Sequence, residues 1–354
     1  MEHYLVRFCP AGKNECLCAS RANLQPTERK LNMFKKICRP IAYSLLLPAV
    51  FLPIIGCKKK NVSSTENEII IFHAGSVSVP LREISALFQK EHPYIIIKPE
   101  ASGSRDAARK IHDLGRKCDV LVSADYKVVE ELLMPSHVDF NIKFAMNEMV
   151  IAYTDKSRHS AEIREDNWFD ILLTDQTAVG RSDPEHDPCG YRTLMVFQLA
   201  EAYYSKPNLS KQLQASKRYI RPKETDLLAL LEAGEIDYLF IYRSVALQHG
   251  LNMILLPDQI NLKSPECAHL YGTASVTLRG NAPGQFITRR GEPMVYSVTI
   301  PRNAPNPGAA RAWIALLLSS SGQAVFEKHG QPFIEPLQGS NDLSASIDLY
   351  SIYK

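Results

Sequence analysis

Acidic side chains lie in this sequence at a place that would normally favour a bound anion. Residues 183–192 form a turn-rich segment that leads directly into an apolar helical run, and they include Asp183 and Asp187. The free backbone N–H groups at the start of a helix attract anions. Carboxylates are therefore unexpected there, and either they serve only as turn residues or they meet a ligand that can accept them.

Serine residues follow two predicted strands in the same chain. Ser76 comes soon after the apolar run 68–72, and Ser102 and Ser104 follow the predicted strand 94–98. Their hydroxyls and nearby backbone N–H groups could donate to a tetrahedral oxyanion, although a single serine at such a place is often only a helix cap. We predict Ser76 and Ser104 as binding residues, with Ser102 as the alternative to Ser104. Together with the acidic turn, these loops suggest that the ligand is an anion whose central atom is a Lewis-acidic metal.

A repeated order of strand, small-residue turn and helix organises the first part of the chain. Short continuous apolar runs predict buried parallel strands, and apolar residues at helical spacing predict amphipathic helices. The predicted strands are 68–72, 94–98 and 119–123, and the predicted helices are 80–90, 105–114 and 128–134. This alternation is typical of an α/β protein whose binding loops lie at the C-terminal ends of the strands.

A second unit begins near residue 149 and uses the same kinds of element. Its apolar runs and helical spacings predict strands at 149–153 and 238–242, a helix at 193–204 and a hairpin within 274–294. A further strand at 295–300 and one long helix at 308–329 follow, and the polar residues from Gln338 onward indicate a tail.

Residues 1–67 have the pattern of a targeting region. Basic residues after Met33, an apolar run that ends near Ile55 and a small residue before Cys57 are typical of a secretory signal. Prolines interrupt the run, which is shorter than the about 20 residues of a membrane-spanning helix. We predict an upstream extension at 1–32, a lipoprotein signal at 33–56, lipidation of Cys57 and a tether at 57–67. An ordinary cleaved signal is the alternative.

Charge and cysteine content exclude two classes of protein. Eight of the 41 Lys and Arg and three of the 38 Asp and Glu lie in residues 1–56, so the remaining chain has a formal charge of −2. No basic stripe interleaved with aromatic residues remains, and nucleic-acid binding is therefore not expected. After Cys57 only Cys118, Cys189 and Cys267 follow, at unrelated spacings that do not indicate a disulfide framework.

Four motifs occur in one order along this chain: Phe72–Pro80, Asp187–Arg192, Arg221–Leu228 and Gly234–Tyr242. As an ordered set they resemble the molybdate/tungstate-binding proteins of ABC importers, in the branch best known from archaea. The resemblance runs from about residue 68 to about residue 334. It implies an α/β, two-lobed type II periplasmic-binding-protein fold with a ligand cleft between the lobes. Lobe 1 would comprise 68–146 and 294–337, lobe 2 would comprise 147–293, and a polar tail would follow at 338–354.

The same resemblance implies roles for particular residues. One Asp and one Glu would coordinate the metal of the oxyanion, and Asp187 and Glu224 fit the motifs best, with Asp183 and Glu235 as the alternatives. Direct bonding would explain why carboxylates line an anion pocket, because molybdenum or tungsten can accept extra oxygen ligands. Tyr242, at the end of an apolar strand, and the backbone N–H of Cys189 would donate to the anion.

The predicted function is capture rather than catalysis, with molybdate or tungstate as the ligand and no cofactor. The expected partners are an ABC permease and its ATPase, and the expected location is the extracytoplasmic side of the cell envelope, with the protein acting as a lipid-anchored monomer. Binding of another oxyanion such as sulfate is the alternative within the same fold. A hydrolase that uses Cys189 and His186 is the alternative of a different class.

Overall fold

The computed structural model describes residues 67–215 and 217–339, which form a mixed α/β fold. The predicted extension, signal, lipidated Cys57 and most of the tether lie outside these residues, as does the tail from residue 340. Within the described ranges, no helix combines the length and the apolar character that crossing a membrane requires. The cysteines at 118, 189 and 267 are free thiols.

Strands account for much of the described chain. In chain order they are β1 (Glu68–Ala74), β2 (Ile96–Ser102), β3 (Val120–Ser123), β4 (Ile142–Met146), β5 (Met149–Tyr153), β6 (Val179–Ser182), β7 (Tyr219–Arg221), β8 (Tyr238–Tyr242), β9 (Asn252–Leu255), β10 (Ser275–Arg279), β11 (Phe286–Arg290), β12 (Val295–Thr299) and β13 (Phe333–Gly339).

Helices connect most of these strands. In chain order they are α1 (Ser78–Glu91), α2 (Ser104–His112), α3 (Tyr126–Leu132), α4 (Trp168–Leu172), α5 (Pro188–Tyr203), α6 (Leu209–Ala215), α7 (Leu228–Glu232), α8 (Arg243–Gln248), α9 (Ala268–Tyr271), α10 (Pro307–Leu318) and α11 (Ser320–Lys328). Short 3-10 turns at Gly75–Val77 and Glu224–Leu227 precede α1 and α7.

Two mixed sheets carry the architecture. Sheet one has the strand order β13-β4-β12-β3-β1-β2, and sheet two has the order β7-β6-β8-β5-β9. The apolar runs that predicted strands are buried on both faces: all four residues of β3 and all five of β8 are buried. Helix α1 packs with Leu81, Ile84 and Phe88 buried, as its amphipathic spacing predicts.

The chain passes between the two sheets at two places. Residues Asn147 and Glu148 lead from β4 in sheet one to β5 in sheet two. The chain returns from β9 in sheet two through the separate β10–β11 hairpin, and residues 291–294 lead from β11 to β12 in sheet one. The carboxyl ends of β1 and β2 and the loops that follow β6 and β7 carry the predicted binding residues.

The hairpin of β10 and β11 contacts helices from both halves of the fold. Gln198 on α5 exchanges two hydrogen bonds of 2.9 Å with the backbone of Ser275 at the start of β10. At the other end of β10, the backbone carbonyl of Arg279 accepts a 2.6 Å hydrogen bond from Nη2 of Arg105 on α2. The hairpin therefore joins α2, beside sheet one, to α5, beside sheet two.

A buried ionic cluster links this hairpin to α3 and α5. Asp125 caps α3 and is 2% exposed, and its Oδ2 lies 3.3 Å from a guanidinium nitrogen of Arg192 on α5 and of Arg289 on β11. Tyr191 also donates to this oxygen. Burial by itself would raise the pKa of Asp125, but the two guanidinium groups lower it, so the carboxylate is ionised and connects three elements.

The structure corrects several predicted boundaries. The single helix predicted at 308–329 is wrong, because Ser319 is extended (ψ 169°) and separates α10 from α11, whose N-terminus its hydroxyl caps. The second strand begins later and extends to Ser102, and α5 begins at Pro188, where proline needs no donor, rather than at Thr193. Gln338, predicted in the tail, pairs with Lys143 in β4.

Replacing Asp125 with alanine is expected to destabilise the protein by about 3–5 kcal/mol, because Arg192 and Arg289 would remain buried without their shared carboxylate. Urea denaturation at pH 7 measures the effect. Asp113→Ala is the matched control, since Asp113 pairs with Arg109 at an exposed position where a pair contributes about 0–1 kcal/mol. Equal unfolding free energies for the two variants would contradict the proposed contribution of the buried cluster to stability.

Candidate functional site

The serine loops of sheet one lie directly against the acidic segments of sheet two. A Cβ atom placed on Gly75 would lie 3.3 Å from Oε1 of Glu224. A Cβ atom placed on Gly103 would lie 2.3 Å from the backbone oxygen of His186 and 3.1 Å from Cβ of Asp187. The two glycines allow this close approach, and the loops around them bring the predicted serines beside the predicted carboxylates.

Asp187 and Glu224 form a buried pair, each 1% exposed. Asp187 is the N-cap of α5, where its Oδ1 accepts a 3.2 Å hydrogen bond from the backbone N–H of Cys189. Its Oδ2 accepts a 3.0 Å hydrogen bond from the backbone N–H of Glu224. Asp187 thus fixes the start of the Glu224 turn, and the two carboxyl groups lie within hydrogen-bonding reach of each other.

The electrostatics of this pair are unfavourable when no ligand is bound. Burial raises the pKa of Asp187 above its ordinary value. Burial also raises the pKa of Glu224 well above its ordinary value, and the neighbouring charge of Asp187 raises it further. Oε1 of Glu224 is buried and accepts no hydrogen bond from any described residue. The raised pKa values and the unpaired oxygen show that two ionised carboxylates are unfavourable here without a positive or electron-poor partner.

Three hydroxyl oxygens near this pair each accept a hydrogen bond from a neighbouring group. Oγ of Ser76 accepts from the Tyr296 hydroxyl at 3.0 Å, and Oγ of Ser104 accepts from the Ala124 N–H at 2.9 Å. The Tyr242 hydroxyl accepts from Nη1 of Arg192 at 3.0 Å. Since each oxygen already accepts a hydrogen bond, its own O–H is available to donate to an anion.

Polar residues behind the hydroxyls were not identified from the sequence. Nδ2 of Asn147, at the crossover from β4 to β5, donates to Oγ of Ser244 at 2.7 Å and to the Tyr296 hydroxyl at 3.0 Å. Arg192 donates to the backbone oxygen of Ala124 at 2.8 Å as well as to Tyr242. These two side chains orient the hydroxyl groups of the site. In the sequence, only their position next to the predicted site motifs could have indicated this role.

The alternative site residues have different surroundings. Oδ1 of Asp183 accepts a 2.9 Å hydrogen bond from the backbone N–H of Glu185, as a turn residue does. Glu235 is exposed. Oγ of Ser102 is buried and has no hydrogen-bond partner among the described residues, so Ser102 and Ser104 both remain candidate donors. The N–H of Cys189 is directed at Asp187, and its contact with an anion stays a prediction.

The arrangement of Cys189 differs from that of a catalytic nucleophile. Its thiol is buried, Sγ lies 3.6 Å from the backbone oxygen of Phe240, and burial raises the pKa of the thiol well above its ordinary value. Nδ1 of His186 lies 2.7 Å from Oδ1 of Asp106. Neither contact activates the thiol as a nucleophile, which requires a base in hydrogen-bonding reach.

The raised pKa of Glu224 predicts a pH-dependent stability of the ligand-free protein. An unfolded carboxyl group releases its proton near pH 4, whereas the raised pKa of Glu224 keeps the proton bound to higher pH in the folded protein, so the free energy of unfolding falls as the pH rises above about 4. Glu224→Gln should remove this loss, which is at most about 1.4 kcal/mol per pH unit for one proton. Chemical denaturation at several pH values measures it.

Glu235→Gln provides the control, because it removes an exposed carboxylate from the same part of the chain. Its pH profile should follow that of the wild type. Parallel profiles for the wild type and Glu224→Gln would show that the pair does not share a proton in the folded state.

Comparison with known proteins places this geometry in a family. Residues 69–331 match the family described as bacterial extracellular solute-binding protein. An uncharacterized solute-binding protein of Petrotoga mobilis is 50% identical over 289 residues, covering 81% of this chain and 90% of the relative. The molybdate/tungstate-binding protein WtpA of Thermococcus kodakarensis is 40% identical over 328 residues, covering 82% of this chain and 92% of the relative.

A solved structure shows the same fold. The periplasmic molybdate-binding protein of Azotobacter vinelandii matches with a TM-score of 0.54 at 16% identity, covering 76% of this chain and 99% of that chain. From the family match and the long relatives together, the chain belongs to the bacterial extracellular solute-binding protein family.

Proposed function

We propose that this protein captures molybdate or tungstate outside the cytoplasm and delivers it to an ABC permease and its ATPase. The observation that carries the proposal is the buried pair of Asp187 and Glu224 beside hydroxyl groups that are free to donate. The relatives of similar length that are named as molybdate/tungstate-binding proteins support the ligand class.

The chemistry of the pair suits a metal-centred oxyanion. Molybdenum and tungsten are electron-poor enough to accept one oxygen each from Asp187 and Glu224 in addition to their four oxo groups. Carboxylate oxygens are hard donors suited to such a centre. The hydroxyls of Ser76, Ser104 and Tyr242 would donate to the oxo groups, and Asp187 and Glu224 would bind the metal in their ionised form.

The same residues would exclude sulfate and phosphate. Sulfur and phosphorus in these anions do not accept further oxygen ligands, so the charges of Asp187 and Glu224 would only repel them. In a desolvated pocket this repulsion amounts to several kcal/mol. Selectivity would then come from repulsion of the competitor as well as from attraction of the ligand.

The proposed mechanism is closure of two lobes, each built on one of the two sheets, around the ligand. We assign 68–146 and 294–337 to lobe 1 and 147–293 to lobe 2, with the crossovers at 147–148 and 291–294 as the hinge. Closure would bring the serine loops onto Asp187 and Glu224, as in the contacts at Gly75 and Gly103. Attachment of a monomer to the membrane through lipidated Cys57 completes the proposal.

Titration of the purified protein with molybdate, tungstate, sulfate and phosphate tests the ligand class. Tryptophan fluorescence or calorimetry should show tight binding of molybdate and tungstate and at least about 100-fold weaker binding of sulfate and phosphate. Asp187→Ala and Glu224→Ala should each weaken tungstate binding by about 100-fold, which corresponds to about 2.7 kcal/mol.

Asp183→Ala is the matched control, because Asp183 lies in the same loop but is bonded only as a turn residue. It should retain the affinity of the wild type. Sulfate binding as tight as tungstate binding would support the alternative oxyanion function. Equal losses of tungstate affinity in Asp183→Ala and Asp187→Ala would contradict the assigned coordinating residue.

The contact at Gly103 gives a second test. Gly103→Ala would place a methyl group 2.3 Å from the backbone oxygen of His186, which only a separation of the two segments can relieve. We expect tungstate affinity to fall at least about tenfold, because the closed arrangement becomes strained. Gly308→Ala is the control, since its added Cβ meets no atom within 4 Å, and it should bind as the wild type does. Unchanged affinity in Gly103→Ala would mean that binding does not need this contact.

A further inference from the structure

Arg181 on β6 is a buried cation without a counterion. The residue is 8% exposed, and its Nε and Nη1 are buried and find no hydrogen-bond partner among the described residues. A buried guanidinium without partners is costly, and proteins normally pair such groups. Burial lowers the pKa of Arg181, and the charge of Asp183 opposes this shift only in part.

A cavity of about 630 Å³ lies beside Arg181, between β6 and the helices α5 and α6. Apart from Ala215, its other lining residues are polar or charged, and Lys211 and Lys217 are exposed along it. Three cationic side chains thus border a cavity with one carboxylate, that of Glu201. The composition favours an anionic occupant.

Two of the acceptors that border the cavity, Glu201 and Gln198, have partners elsewhere. Oε2 of Glu201 accepts a 2.9 Å hydrogen bond from the backbone N–H of Ser210. Oε1 of Gln198 accepts from the N–H of Ser275, and Nε2 of Gln198 donates to the oxygen of that residue, so the Gln198 amide is held by the hairpin. These lining acceptors have partners of their own and give Arg181 none.

We propose that this cavity binds a small anion through a carboxylate or phosphate group that pairs with Arg181. The planar guanidinium fork suits both groups, which it can bind through parallel hydrogen bonds. Successive residues of a strand point to opposite faces, so Arg181 points away from Ser182, its neighbour in β6. The site is separate from the one at Asp187 and Glu224 and does not depend on the ligand proposed there.

Thermal unfolding and calorimetry of the full chain test this site, with inorganic phosphate and citrate as separate probes. Wild-type protein should gain stability saturably with at least one of them. Arg181→Met should be more stable than the wild type without an anion, because a buried charge is removed, and should bind the effective probe at least tenfold more weakly. Its tungstate affinity should be unchanged.

Two further variants keep the test decisive. Arg164→Met removes an equal charge from an arginine whose side chain is 65% exposed, and it should respond to the probes as the wild type does. Arg181→Gln is a polar replacement of the same residue, and it should show the same weakened response to the effective probe as Arg181→Met. The proposal is overturned if the Arg181 variants keep the wild-type response, if the wild type responds to neither probe, or if removing Arg181 lowers stability without an anion.

Discussion

The site depends on one electrostatic constraint. Asp187 and Glu224 are buried together, and no cationic side chain among the described residues forms an ion pair with them. Burial raises the pKa of both groups, and one oxygen of Glu224 has no donor among the described residues. Backbone N–H groups nevertheless hold Asp187 in place at the start of α5. Two buried carboxylates are unfavourable by themselves, but an electron-poor centre that accepts their oxygens would make the arrangement favourable, and this difference is the physical basis of the proposed selectivity.

The surrounding fold holds this pair against the donor groups of the other sheet. The Asp125 cluster joins α3, α5 and the hairpin, and Arg192 within it also donates to Tyr242. Asn147, at a crossover between the sheets, donates to Tyr296, which in turn donates to Ser76. The same residues that stabilise the fold therefore donate hydrogen bonds to the hydroxyl oxygens, and the hydroxyl protons can be donated to a ligand.

The sequence predicted the elements more accurately than the interactions between them. Apolar runs identified β1, β3, β5 and β8 nearly to the residue, because buried strands have a distinctive composition, and the family resemblance is confirmed. The break at Ser319 was missed, since the apolar spacing continues through it. Asn147, Arg192 and Tyr296 were also missed, because their roles depend on partners 50 or more residues away. The pairing of Asp187 with Glu224 required the resemblance as well as the residues.

The most direct test of the central claim is the number of oxygen atoms around the metal in the bound state. X-ray absorption at the tungsten edge, or a crystal structure with tungstate, provides this number. We expect six oxygens, four from the anion and one each from Asp187 and Glu224. Four oxygens at bonding distance, with both carboxylates no closer than hydrogen-bonding range, would contradict it.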